Sequence, residues 1–271
     1  MEMEISTRAP EPTSTPLHDI RAIFFDLDDT LCAYWEAARK GLEIAFAEFA
    51  PGQWSVDDMI AKWAEAFRPF SKSIKESDWY PDYLKSGEPT RTEQMRRTLE
   101  LCGVTDSSLA ARLSERYAEA RDQNLRLFPD AVAVLEGLRG NYLLGLITNG
   151  PADVQRQEIE TLGIEEFFNF ILIEGEMGQG KPHPRVLQRA EKLSGCKPHQ
   201  ILFVGNSYRH DVRPAIEAGW RSVWIRRDSD IPPSARGQSE SPEEKPSGGP
   251  EPDFVVGSLT ELNALLPAPR P

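Results

Sequence analysis

The sequence predicts an α/β fold, a doubly wound parallel sheet with an inserted helical domain. Three observations predict it. From about residue 128 onward, short runs that are apolar throughout alternate with stretches of helical periodicity: YLLGLITN (142–149), FILIEG (170–175), ILFVGN (201–206), SVWIRR (222–227) and DFVV (253–256). Runs without polar alternation suit strands buried on both faces, the environment of a parallel sheet. A sixth run, RAIFFDL at 21–27, stands apart, and residues 31–127 after it carry apolar residues at helical spacing without one clear strand.

Taken in order, residues 1–18 are rich in Pro, Ser, Thr and Glu and read as a disordered N-terminal arm. The first strand follows. AARKGLEIAFAEFA, VDDMIAKWAEAFRPF, RTEQMRRTLELCGV and SLAARLSERYAEARDQ then read as amphipathic helices, so 31–127 form the inserted unit. The chain re-enters the core near LFPDA at 127–131. Helices over Asp130–Arg139, Ala152–Leu162, Pro184–Ser194 and Arg213–Ala218 fill the gaps between the later strands. This repeated strand–helix order winds the sheet on both sides. Residues 229–252 are too polar and too broken by Pro and Gly to fold alone. They read as a long flexible loop inside the core, because DFVVGSLTELNALL resumes the pattern. The core is then 19–30 together with 128–266.

The bulk composition excludes several function classes. The chain has 271 residues and a formal net charge of -12. A surface so acidic argues against a nucleic acid polymer or an anionic membrane as the main partner. An anionic substrate must therefore meet a locally positive site. Cys32, Cys102 and Cys196 are far apart and form no CxxC or Cys/His cluster, which argues against structural zinc and a disulfide framework. A reducing cytoplasm is the natural location. No apolar run approaches the roughly 18 residues of a membrane span. MEMEISTRAPEPTSTP lacks the apolar stretch of a signal peptide.

Active sites of open parallel sheets sit at the carboxyl ends of the strands. Strand one ends on Asp26, Asp28, Asp29 and Thr30, and strand two on Thr148-Asn149-Gly150. Strand four ends on Gly205-Asn206-Ser207 with Asp211 close behind, and Lys181-Pro182 follows strand three after a Gly-rich turn. Three acids within four positions repel one another unless a cation is waiting. A divalent metal and a lysine supply it. Such a set suits phosphoryl transfer through an aspartate: oxygen donors for Mg2+, a carboxylate nucleophile, and hydroxyl, amide and ammonium groups for the transferring oxygens.

DLDDT, the Thr of ITNG, the Lys of GKPHP and the acid of GNSYRHD, in this order, resemble the four motifs of the haloacid dehalogenase (HAD) superfamily. The resemblance extends to LFPDAVAVLEGLRG…LGLITNG and GKPHPRVLQRAEKLSG…ILFVGNSYRHDV, and covers nearly all of the folded chain. The resemblance implies a Rossmann-like core and a phosphatase-type site under a helical cap inserted between motifs one and two. It makes Asp26 the nucleophile and a Mg2+ ligand. Asp28 becomes the general acid and base, its main-chain carbonyl also on the metal. Thr148, with the amides of Leu27 and Asn149, binds phosphoryl oxygens. Lys181 offsets charge, and Asp211 holds the metal side. L-2-haloacid dehalogenases of this fold lack an acid two residues after the nucleophile, so Asp28 favours phosphoester cleavage. One position departs from the family, which usually has Gly-Asp where this chain has Gly205-Asn206. Asn206 is expected to take that metal position as a neutral ligand, or to hydrogen-bond a metal-bound water, while Asp211 supplies the charge, with weaker Mg2+ binding than in a Gly-Asp relative as the consequence.

In the cap, Arg39 and Arg91 are the expected donors to a leaving group, since a small anionic or sugar-like metabolite wants one. The function expected is a Mg2+-dependent phosphomonoester hydrolase acting on a small phosphorylated metabolite. A phosphotransferase or mutase, a nucleotidase using Trp35 or Trp79 as an aromatic slot, and a non-catalytic binding protein stand as the other readings.

Overall fold

The computed structural model describes residues 17–235 and 242–267. Within them, β1 (Ala22–Phe25), β2 (Leu143–Thr148), β3 (Phe170–Ile173), β4 (Ile201–Gly205), β5 (Arg221–Ile225) and β6 (Phe254–Val256) form one sheet in the order β3-β2-β1-β4-β5-β6. Every pairing is parallel. The α/β fold class expected from the sequence is therefore observed. β1 shows why its residues carry no polar alternation. Ile23 and Phe25 enter one hydrophobic cluster and Ala22 and Phe24 another, so both faces of the strand are buried. Gly145 on β2 leaves the space that the Phe24 ring fills.

The helices of the core match the periodic stretches: α6 (Ala131–Leu138), α7 (Ala152–Leu162), α9 (Pro184–Ser194) and α10 (Arg213–Glu217). Two details differ. β3 stops at Ile173, and Glu174–Met177 form a short helix, α8, where the sequence pattern continued the strand to residue 175. Glu174 is fully buried and takes the Gly150 amide at 3.1 Å, a bond that turns the chain out of the sheet. A single wide helical turn, Tyr208–Val212, also precedes α10.

Between β1 and α6 lie α1 (Tyr34–Phe49), α2 (Val56–Ser73), α3 (Tyr80–Lys85), α4 (Glu88–Leu101) and α5 (Ser107–Asn124). Leu42, Phe46, Met59, Trp63, Met95 and Leu113 give this layer a hydrophobic cluster of its own. It is seated on the core by ionic and polar contacts at its base. Lys75 Nζ lies 2.6 Å from Glu174, Tyr80 donates to Glu174 at 3.0 Å, and Ser86 donates to Asp153 at 2.6 Å.

The predicted arm lies outside the described residues except at its end. There Leu17 is already buried and its amide donates to Leu265 at 2.9 Å, so the chain joins the core earlier than residue 19. Of the predicted loop, residues 236–241 also lie outside the described part. The described remainder is irregular but bonded: Glu243 accepts from Ser207 Oγ and the Tyr208 amide, both at 2.9 Å. The strand order reverses between β1 and β4, and the crevice there opens at their carboxyl ends.

Candidate active site

The turn after β1 is wound around one oxygen. Leu27 carbonyl accepts from the amides of Thr30 (3.3 Å), Leu31 (2.9 Å) and Cys32 (3.3 Å). Asp29 closes the turn at φ 57°, a left-handed conformation that Asp tolerates better than most residues. Its Oδ1 accepts from the Trp35 amide at 3.1 Å and so fixes the start of α1. Asp26 and Asp28 are thereby presented at the crevice.

Six residues of the four motifs meet there. Lys181 Nζ lies 2.6 Å from Asp26 Oδ1 and 2.7 Å from Asp211 Oδ1. Asn149 holds the lysine backbone from both sides, accepting from Lys181 N at 2.7 Å and donating to Lys181 O at 2.8 Å. Burial alone pulls the lysine pKa down, but Asp211 and Asp26 outweigh it and the value is raised, so the ammonium stays charged. Thr30 Oγ1 lies 3.2 Å from Asp26 Oδ2 and 3.4 Å from Asn206 Oδ1, and accepts from the Asn206 amide at 3.0 Å.

Three of the expected residues have partners within the protein. Asp211 has Oδ1 on Lys181 and Oδ2 on the Ser207 amide at 2.9 Å, so it braces the lysine. Gly205 makes this possible, since a Cβ there meets the Asp211 carboxylate. Thr148 gives its hydroxyl to Gln155 Oε1. Arg39 is exposed on α1 and donates to Ile231 O at 3.2 Å, in the segment after β5. Its helical position alone did not reveal that contact.

Several residues of the site carry no motif. Gln155 Nε2 donates to Glu158 Oε2 at 2.7 Å and reaches Asp28 Oδ2 at 3.4 Å, linking Thr148 to Asp28. Asn206 Nδ2 donates to Asp230 Oδ2 at 2.9 Å. Gln155 and Glu158 share one face of α7, a spacing visible in the sequence; Asp230 gave no such signal.

The acids are held in unusual protonation ranges. Burial pushes Asp26 up to about 6 against the pull of Lys181, with Asp211 adding to the rise. Burial and then the Asp26 charge push Asp28 up to about 7, the Gln155 hydrogen bond opposing. A carboxyl whose pKa is 3.8 in its ordinary state and about 7 here binds its proton more tightly when folded. Its stabilising contribution is complete below the ordinary value and is lost as pH rises through about 7. Asp28→Asn, which cannot ionise, is therefore expected to gain stability relative to wild type between about pH 5 and about pH 8 in metal-free buffer. Thermal unfolding of both proteins at the two pH values checks this; a constant difference contradicts it.

Above the crevice lies a cavity of about 320 Å3 between the helical layer and the strand ends. Asp28, Asn149 and Gln155 line its floor, and Trp35, Trp63 and Tyr83 contribute aromatic wall. Arg91 is among its lining residues, as are Arg121 and Lys75, which the sequence did not single out. Arg91 Nε is pinned on Ser114 O at 3.1 Å and Oγ at 3.2 Å. Burial, and then the nearby Arg121 charge, lower the Arg91 pKa. A larger depression of about 1160 Å3 lies at the amino ends of the strands and contains none of the motif residues.

The family model described as haloacid dehalogenase-like hydrolase matches residues 23–225. The N-acylneuraminate-9-phosphatase of Rattus norvegicus is 27% identical over 261 residues, covering 92% of this chain and 95% of its own. The phosphoserine phosphatase of Thermus thermophilus is 35% identical over 175 residues, 64% of each chain. Among solved structures, the 2-haloacid dehalogenase of Pseudomonas syringae pv. Tomato has a TM-score of 0.61 at 26% identity, with 91% of this chain and 97% of that one covered. With the family matched over most of its length and its relatives named phosphatases, the chain belongs to the haloacid dehalogenase-like hydrolases, as a phosphoric monoester hydrolase of their phosphatase branch.

Proposed function

We propose that the protein is a Mg2+-dependent phosphomonoester hydrolase that acts on a small phosphorylated metabolite through an aspartyl-phosphate at Asp26. The observation that carries this reading is a pair of buried carboxylates two residues apart with different partners. Asp26 is held 2.6 Å from a buried ammonium, whereas Asp28 faces the cavity with its pKa pushed up to about 7. In the first half-reaction an Asp26 oxygen bonds to phosphorus as the ester P–O bond breaks. Asp28 hands its proton to the departing oxygen, since an alkoxide leaves poorly. In the second, ionised Asp28 takes a proton from water, whose oxygen attacks phosphorus, and Asp26 is released as carboxylate. A value near 7 keeps both forms of Asp28 populated at neutral pH. Lys181 balances charge throughout. Thr148 turns its hydroxyl from Gln155 to a phosphoryl oxygen.

The donor set fits a hard cation. Among the described residues no three acid, cysteine or histidine side chains converge on one point, but Mg2+ needs only one or two carboxylates beside neutral oxygens. Asp26 Oδ2 and Asn206 Oδ1 share the Thr30 hydroxyl. Burial first, and neighbouring carboxylates second to it for Asp28 and Asp29, raises the pKa of Asp26, Asp28 and Asp29, and a cation beside them would favour their ionised forms. Asp26, the Asp28 carbonyl and Asn206 are the proposed ligands, with Asp211 acting through Lys181. When bound, Mg2+ neutralises charge on the phosphoryl oxygens and favours the ionised form of Asp26.

Helices α1–α5 act as the cap, and the cavity takes the leaving group. Arg91, fixed at its wall, is the proposed donor to an anionic or polyhydroxylated leaving group, a chemistry shared by the sugar acid named in the Rattus norvegicus relative. The three free, buried thiols suit a reducing cytoplasm as the place of action. Phosphate release from sugar-acid phosphates, phosphoserine, nucleotides and an aryl phosphate tests the assignment. Arg91→Ala is expected to raise KM for the best natural-type substrate by about tenfold or more while aryl phosphate turnover stays within about threefold. Equal losses on both substrates contradict the role given to Arg91.

A further inference from the structure

We propose that Asp230 is the positioning residue of the cation site, holding Asn206 with its amide oxygen inward and supplying the negative charge that the amide lacks. This rests on the Mg2+ reading above. It explains the one departure in the motif set, a neutral residue where a carboxylate is usual.

An amide has a donor end and an acceptor end, and its neighbours decide which faces the site. Asn206 Nδ2 donates to Asp230 Oδ2 at 2.9 Å. An ionised carboxylate only accepts, so it claims the donor end and leaves Oδ1 on the opposite side. That oxygen lies 3.4 Å from Thr30 Oγ1, the hydroxyl that also meets Asp26 Oδ2 at 3.2 Å. With its donor end released, the amide could turn its NH2 group inward, where it repels a cation.

Asp230 is built into this place. It is 8% exposed, in a segment where most neighbours are polar. Its amide donates to Arg227 O at 3.1 Å, and Arg227 in turn donates to Thr30 O at 3.3 Å and to Asp130 Oδ1 at 2.9 Å. The Arg227 guanidinium lies 3.7 Å above the Phe128 ring. The segment after β5 is thus fastened to the nucleophile turn. On its other side Arg39 and Arg68 hold the carbonyls of Ile231 and Ser234.

Asn206 with Asp230 carries the same charge as an aspartate at 206 with a neutral residue at 230. Asn206→Asp alone removes the NH2 donor and sets two carboxylates against each other at the place of the 2.9 Å hydrogen bond. An aspartate at 206 therefore keeps the charge of the site unchanged only if residue 230 gives up its own.

Calorimetric titration of the full chain with Mg2+, with thermal unfolding in chelator as a control for folding, tests the pair. Asp230→Asn keeps an oxygen that can accept from Asn206 but removes the charge. It is expected to weaken Mg2+ binding by roughly tenfold. Asp230→Ala removes both and weakens it further. The exchanged pair, Asn206→Asp with Asp230→Asn, is expected to return to within about threefold of wild type. Wild-type affinity in Asp230→Asn, or an exchanged pair that binds no better than Asp230→Asn, overturns the inference and leaves the Mg2+ reading intact. Absence of Mg2+ uptake by the wild type overturns both.

Discussion

Asp26→Asn is expected to reduce phosphate release from every phosphomonoester by at least about 10⁴-fold. The amide matches the carboxylate in shape but is a far weaker nucleophile. Its oxygen can still accept from Lys181, which is now on Asp26 Oδ1, and its NH2 group can donate to the Thr30 hydroxyl, which is now on Oδ2. Lys181 also keeps its second partner, Asp211, at 2.7 Å. Folding should therefore survive, with a thermal midpoint within a few degrees of wild type. Loss of turnover in a folded protein separates chemistry from structure. Residual activity above about one part in a hundred of wild type places the nucleophile elsewhere.

Lys181→Met should damage both activity and stability. Methionine fills much of the same volume but removes the charge between Asp26 and Asp211. Both carboxylates are then buried without their common cation. Breaking a buried ion pair from one side costs about 3–5 kcal/mol, and kcat is expected to fall by about 10²–10³-fold as well. The stability loss has a sign that pH reveals. Without the lysine, the two acids hold their protons more tightly in the folded state than in the unfolded one. The deficit should shrink as pH falls from about 7.5 to about 5, where they become neutral. Urea unfolding at both values measures it. Asp211→Asn in the same background should recover stability at the higher pH without restoring turnover. A deficit independent of pH argues that lost packing, not unpaired charge, is responsible.

The fold was legible because burial on both faces leaves a simple trace. Strands such as Ile201–Gly205 are apolar at every position, and helices such as Pro184–Ser194 keep one apolar stripe. Motif order placed Asp26, Lys181, Asn206 and Asp211 at neighbouring strand ends, where the structure brings them together. What remained hidden depends on partners far apart in the chain. Arg39 reads as a helical donor, but its direction is set by Ile231. Asp230 sits in a stretch whose composition looks the same whether it is solvated or packed. Its burial comes from Arg227 reaching back to Thr30 and Asp130. Glu174 looked like the end of a strand because nothing local announces that Gly150 and Lys75 draw it inward.

The central claim is that a phosphoryl group passes through Asp26. Acid quenching during turnover, followed by intact-mass and peptide analysis, tests it most directly. With an aryl phosphate, whose leaving group needs no proton, Asp28→Asn still takes up the phosphoryl group but cannot activate water. The mutant should then accumulate a single phosphoryl adduct on Asp26, present at lower occupancy in wild type and absent from Asp26→Asn. Steady phosphate release with no adduct at Asp26, or an adduct on another residue, contradicts the account.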